Sequence, residues 1–453
     1  MMKTIFRVAF AILLLFPVSA RAQDGGSLLI RNATVLTVTN GTLEGTDVLV
    51  RNGKIAAIGK DLGASADRVI DGSGQFLMPG IIDAHSHIAL SSVNEGSSPV
   101  TSEVTMEDVV DPFDIAIYRA LAGGVTISHV MHGSANVIGG QNETIKHRYG
   151  AKNPDALRME GAPRTIKFAL GENPTRVHGS RGNQPSTRMG VEMVFRRTFT
   201  DGKRYMEEWD AYRRDSKKNP RLVPPEYNLR LETIADILRG EIIVHCHSYR
   251  ADEILMLLNV LKDFGVKKIV FQHVNEGFKV APELASYGAM ASVFSDWWAY
   301  KFEVYYSTAY NAAILTRNGV VTSINSDSEE LDRHLYHEAA KTQKYGGLSD
   351  DEALSLITIN PARQLGIDDR TGSIEIGKDA DLVLFNAHPL SIYAVPEITV
   401  VDGVVEFDRE ADADDMRIIV DPESEITDTH LDLEYHRCME GAADLDWLLS
   451  DAG

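Results

Sequence analysis

Residues 78–90 read MPGIIDAHSHIAL. The apolar entry Gly80-Ile81-Ile82 has the character of a short buried strand, which delivers Asp83, His85 and His87 at its end. Side chains two apart on a strand point the same way, so His85 and His87 offer two imidazoles to one point, and that suits a metal ion. Taken alone, the same pair also describes two histidines hydrogen-bonded in a core. The rest of the chain has to decide between the two.

Downstream, short apolar runs alternate with helix-like segments from about Met78 to Leu365. The strand ends are GIIDAHSH, VTISHVMH, RTIKFAL, EIIVHCHS, KIVFQHV, GAMASVFS and VVTSINSD, and the helices include ADEILMLLNVLKDFG and SDDEALSLITINPARQLG. This alternation is the mark of parallel βα units, and with no fixed-length repeat it predicts a (β/α)8 barrel rather than a solenoid. Barrel enzymes gather their chemistry at the C-terminal ends of the strands. Here those ends carry His85 and His87, His129 and His132, Lys167, His245 and His247, His273, and Asp327. Each has a plain structural reading, but polar residues recurring wherever an apolar strand stops point to one shared site.

On either side of the barrel lie β-branched, turn-punctuated segments: LLIRNATVLTV, DVLVRNGKIAAIG and DRVIDGSGQFLMPG before it, and GSIEIGKDADLVLFN and ITVVDGVVEFD after it. Asn52-Gly53 is a hairpin signal. One small β-sandwich built from both ends, residues 23–78 plus 366–408, with the barrel at 79–365 inserted between, explains the pattern. The acidic tail, residues 409–453, contains HLDLEYHRCMEGAADLDWLL, a candidate helix.

The first 22 residues place Lys3 and Arg7 before an apolar run and end in Ala20-Arg21-Ala22, which predicts a signal peptide cleaved after Ala22 and a secreted or periplasmic protein with no stable membrane anchor. A formal net charge of −20 over 453 residues argues against nucleic acid as a partner, since phosphate binding needs clustered cations. The expected partner is a small-molecule substrate, with a homo-oligomer left open. Two cysteines, Cys246 and Cys438, do not make a disulfide framework, and Cys246 reads as a small buried hydrophobe.

The HxH after a first barrel strand, the lysine of a fourth, histidines after a fifth and sixth, the aspartate after an eighth and the split β-domain together resemble the amidohydrolase superfamily. The ending NPARQLGIDDRTGSIEIGKDADLVLFNAHPL resembles its imidazolonepropionase-like and prolidase-like members. The resemblance implies two divalent ions, zinc first, with manganese, iron, nickel or cobalt fitting the same donors. It assigns His85, His87 and Asp327 to one ion and His245 and His273 to the other. A carboxylated Lys167 would bridge the ions, with Glu172 as the alternative bridge. It implies hydrolysis of a small amide, cyclic amide or dipeptide by a metal-bound hydroxide, with Asp327 moving the proton and His129, His132 or His247 donating to the oxyanion.

The loops would set specificity. Arg176, His178, Arg181 and Arg188 follow the fourth strand, where a guanidinium can clamp a carboxylate. Gln141 and Asn142 lie in a Gly-rich stretch that either shapes the pocket or only turns. Trp297, Trp298 and Tyr300 either wall the pocket or pack in the core. A lactone or ester hydrolase on the same site, and a catalytically silent binding module, are the alternatives.

Overall fold

The computed structural model describes residues 26–297 and 301–411. The expected leader, Trp298, Tyr300, Cys438 and the candidate tail helix lie outside the described residues.

Five strands come first: β1 (Leu28–Leu36), β2 (Thr42–Arg51), β3 (Lys54–Gly59), β4 (Arg68–Asp71) and β5 (Phe76–Pro79). The barrel strands follow: β6 (Ile81–Ser86), β7 (Val125–Val130), β8 (Ile138–Lys146), β9 (Thr165–Ala169), β10 (Ile243–Ser248), β11 (Ile269–His273), β12 (Met290–Val293) and β13 (Thr322–Ile324). Three more close the chain: β14 (Leu382–Phe385), β15 (Pro396–Val401) and β16 (Val404–Asp408).

The strands from the two chain ends form one hydrogen-bonded sheet in the order β16-β15-β14-β5-β1-β2-β3, with β4 added on β1. Its own apolar core includes Ile30, Val35, Val48, Leu77 and Leu382. The β2–β3 hairpin turns at Asn52-Gly53 with φ of 51° and 73°, the two left-handed residues that a type I′ turn requires. Asp402-Gly403 repeats that geometry between β15 and β16. The two turns touch: a Cβ on Gly53 would stand 3.0 Å from the Asp402 carbonyl oxygen.

The barrel strands pair in sequential order, every pair parallel except those of β8, which runs antiparallel to β7 and β9. This third strand corrects the reading of residues 132–146 as a pocket loop or turn. It hides in the sequence because Gln141, Asn142, Glu143 and Thr144 interrupt any apolar run. Its glycines answer to crowding, since a Cβ on Gly139 would lie 2.7 Å from His132 Nδ1 and one on Gly140 would lie 2.6 Å from Val104.

The segment expected as one helix over 349–366 is two, Asp350–Ser355 and Ile359–Leu365. The break has a use. The carbonyls of Leu356 and Ile357 turn toward the seam between the last and first barrel strands, accepting the Ile324 and Ile82 N–H groups at 2.9 Å each. With that seam bridged, the fold is a (β/α)8 barrel whose mouth receives the C-terminal ends of β6, β7 and β9–β13. Among the described residues no helix is long and apolar enough to cross a membrane.

Candidate metal centre

The first and eighth strand ends are stapled before any ligand is considered. Asp83 Oδ1 accepts the His85 and Ser326 backbone N–H groups at 3.1 Å each, its Oδ2 accepts the Ser326 hydroxyl at 2.5 Å, and the Asp327 N–H donates to the His85 carbonyl at 3.0 Å. Burial pushes the Asp83 carboxyl up to about 7 despite those hydrogen bonds. The result is convergence: His85 Nε2, His87 Nε2 and Asp327 Oδ1 lie 3.1–3.3 Å apart, a donor set with metal-site spacing in which His85 and Asp327 are buried and His87 is partly so. His87 Nδ1 donates to the Met131 carbonyl at 2.8 Å, which leaves the Nε2 lone pair facing the cluster.

Asp327 stands in the left-handed region with φ 46°, as does His273 with φ 68°. Backbone strain of this kind in non-glycine residues collects at functional sites. Burial raises the Asp327 pKa, but its polar neighbours His87, His273 and Lys167 outweigh it and hold the carboxyl below its ordinary range.

His273 is held by its neighbours' faces rather than by hydrogen bonds. Its ring lies between Tyr249 (centroids 5.3 Å, 21° apart) and Phe294 (4.8 Å, 20°), and Trp297 stacks in turn on Phe294 at 4.6 Å. Both His273 ring nitrogens are buried without a hydrogen-bond partner, and Nε2 stands 3.6 Å from Asp327 Oδ2, beyond hydrogen-bond reach. Burial drives its pKa down to about 3 and that of His85 well below the ordinary value, so the rings are neutral and keep lone pairs for a cation.

Alternation along β10 sends His245 and His247 to the same side, and depth separates them. His247 meets His273 at 4.8 Å between centroids, and its Nε2 is buried without a partner. His245 lies a layer lower, its ring 4.4 Å from His129 and its Nδ1 bonded to Gln272 Nε2 at 2.9 Å, with its Nε2 likewise buried without a partner. Lys167, on β9 beside it, brings Nζ to 2.9 Å from His85 Nε2.

Other expected site residues have structural employment. His132 spends Nδ1 on the Gly133 carbonyl and accepts the Glu95 N–H on Nε2, so it buckles two mouth loops and keeps no donor for an oxyanion. His129 bonds the Ala84 carbonyl and the Thr165 hydroxyl beneath the cluster. Gln141 accepts from Arg164 on the outer face of β8, away from the cluster. Arg181 donates to the Gly96 carbonyl at 2.9 Å, Arg188 bridges Glu253 and Glu303, and His178 is buried against the Ala135 backbone. Arg176 pairs with Glu172 at 3.8 Å on the helix Glu172–Gly179. Glu172 faces Arg176 and Lys301 rather than the histidine cluster. Cys246 is buried with its pKa raised well above the ordinary value, an inert thiol. Sequence reasoning gave Asp83 no part beyond its place at a strand end, although the alternation in DAHSH marks it as an inward neighbour of His85.

Residues 306–408 match the model of the amidohydrolase family. The chain is 36% identical to a solved amidohydrolase from Thermotoga maritima MSB8, covering 84% of this chain and all of that one with a TM-score of 0.76. The chain belongs to the amidohydrolase family. It is also 33% identical over 434 residues to the amidohydrolase tasK of Hapsidospora irregularis, of whose length it spans 44%. The atrazine chlorohydrolase TrzN from Arthrobacter aurescens TC1, solved with zinc, shares the fold at 19% identity with a TM-score of 0.51, over 84% of this chain and 96% of that one. For this amidohydrolase the donor chemistry fits a resident divalent cation: neutral imidazoles, one ionised carboxylate, and buried ring nitrogens that nothing else satisfies.

Proposed function

We propose that this amidohydrolase is an exported metal-dependent enzyme that hydrolyses the C–N bond of a small amide, cyclic amide or dipeptide. The observation that carries the reading is His273: a fully buried imidazole with both nitrogens unpartnered, beside His247 and facing His85, His87 and Asp327. Leaving such groups unsatisfied in an apolar wall costs several kcal/mol, which a bound cation would offset.

His85, His87 and Asp327 would hold one ion and His273 with His247 the second. His247 is preferred here to His245, whose Nε2 is equally unpartnered, because His247 lies against the His273 ring whereas His245 packs on His129 and bonds Gln272. A pair of divalent ions there, zinc first, supplies Lewis acidity and a water nucleophile at neutral pH. Lys167 as an ammonium would repel them. Its carbamate, formed when the free amine adds CO2 and releases a proton, would present oxygens to both, which the neighbouring His85 supports. Asp327 takes the proton of the attacking water and returns it to the leaving nitrogen, a task suited to a carboxylate kept ionised beside positive charge.

The test is a screen of the metal-reconstituted protein against N-acyl amino acids, X-Pro dipeptides, cyclic ureas and lactones. Amide turnover that a chelator abolishes and zinc or manganese restores is expected. Turnover of lactones alone would overturn the reaction assigned here.

A further inference from the structure

Three of the segments that leave the barrel mouth meet on one arginine. Arg188 opens the helix Arg188–Asp215, which the chain reaches after β9. Its Nε pairs with Glu253, on the helix Ala251–Phe264 that follows β10, and its Nη2 pairs with Glu303, in the segment after β12. Glu303 Oε1 also accepts the Glu172 backbone N–H at 3.0 Å. Gly171 makes the approach possible: it turns the chain out of β9 at φ 75°, and a Cβ there would stand 2.6 Å from Glu303 Oε1 and 3.2 Å from Glu253 Oε2. The arginine is at the surface and the acids are not. Its side chain is 45% exposed, against 5% for Glu253 and 2% for Glu303, and Oε2 of each acid is buried without a hydrogen bond.

Two buried carboxylates therefore share one guanidinium. The groups that face Glu253 are Arg188, Glu303, Asp252 and Arg250 near its own helix start, and the Cys246 thiol on β10. Those that face Glu303 are Lys301, Glu172 and Arg188. Burial first, and then the charge of Glu303, push the Glu253 carboxyl up to about 7 against the pull of Arg188, and burial raises that of Glu303 as well. A carboxyl whose pKa is higher when covered than in water binds its proton in the covered state, so acid favours the covered arrangement and alkali opposes it. A proton on Glu253 Oε2 leaves Oε1 free to accept from Arg188 and removes the repulsion of Glu303. Parting the segments instead releases both acids to water, where they ionise in their ordinary range.

We propose that Arg188, Glu253 and Glu303 form a pH-set latch on the barrel mouth, which holds the segments after β9 and β12 against the helix after β10 while Glu253 is protonated and loosens when it ionises. The segment after β12 also places Lys301 4.3 Å over the ring of Tyr249, which packs on His273, so movement of that segment reaches the wall of the candidate metal centre. The latch governs access to the mouth whatever reaction takes place there, and it does not rest on the hydrolytic reading.

Amide hydrogen exchange of the full-length, metal-loaded protein is followed at pH 8 and pH 6 in peptides covering residues 168–190 and 301–310, with the intrinsic exchange rate corrected for. A group titrating near 7 in the closed form predicts about 10-fold greater protection at pH 6. Glu253→Gln, fixed in the neutral form, should keep the higher protection at both pH values, within about twofold. Arg188→Met, which leaves the two acids facing each other, should lose protection at pH 8. Glu303→Gln removes the charge beside Glu253 and should move the midpoint of the response to lower pH, which keeps the latch testable if Glu253→Gln does not fold. A native change below about threefold, a change that Glu253→Gln leaves in place, undiminished protection in Arg188→Met, or an unmoved midpoint in Glu303→Gln would each overturn the latch.

Discussion

At the scale of the residue, the site depends on which imidazoles are left with lone pairs. His132 has committed both ring nitrogens to loop backbone, whereas His245 Nε2, His247 Nε2 and both nitrogens of His273 have no protein partner, and of His245 and His247 only the latter lies against the His273 ring. His247→Asn should therefore release one bound ion, and His245→Asn should keep both, as read by elemental analysis of dialysed protein. Loss of an ion only from the His245 variant would restore the original sequence assignment. Asp327→Asn removes both a ligand and the proton acceptor, and turnover on the best amide should fall by at least roughly 100-fold. Residual activity within a factor of three would exclude that role.

At the scale of the element, Asp83 fixes the end of the first barrel strand to that of the eighth. Asp83→Asn keeps the size and loses an acceptor, so metal affinity should weaken by about 10- to 100-fold, as supporting partners of ligands do when mutated. Competition with a fluorescent chelator measures this, and unchanged affinity would make Asp83 a purely structural staple. The strands that positioned these residues were legible wherever an apolar run ended in a histidine, as in IIDAHSH and IIVHCHS. β8 was not, because its inward face is polar and its two glycines read as a turn. The sequence named both His245 and His247 without ranking them by depth: alternation tells which side a residue faces but not how deep along the barrel it sits, and depth is set by neighbours such as Gln272 and Tyr249.

At the scale of the whole molecule, β8 also ties the barrel to the small sheet. Lys146 at its end is fully buried, with Nζ 2.9 Å from Asp379, 3.0 Å from Asp381 and 2.5 Å from Asp402. Burial opposes its charge, yet the three carboxylates overcome that and raise its pKa. Lys146→Met would strand buried carboxylates, and denaturant unfolding should show a loss of about 3–5 kcal/mol. A change under about 1 kcal/mol would mean that water reaches the cluster. Acid adds a second global effect. Burial depresses His129 to about 3, and His132 and His147 to about 4, from an ordinary 6.5. Between pH 6.5 and 4 the unfolded chain binds protons that the native one refuses. Stability should then fall on acidification by about 1.4 kcal/mol per pH unit for each histidine. Unfolding of metal-free protein at pH 7 and pH 5 checks the sign, and His147→Gln should flatten the slope.

Catalysis by this site requires cations meeting at the mouth where β6, β9, β10, β11 and the turn after β13 converge. Elemental analysis of the purified protein, loaded with zinc in bicarbonate buffer and dialysed, addresses this most directly. Close to two ions per chain, falling to one or none in Lys167→Met and to none in the His85→Asn/His87→Asn double variant, is the predicted result. Less than a tenth of an ion per chain in the native protein, or a stoichiometry that those substitutions leave untouched, would contradict it.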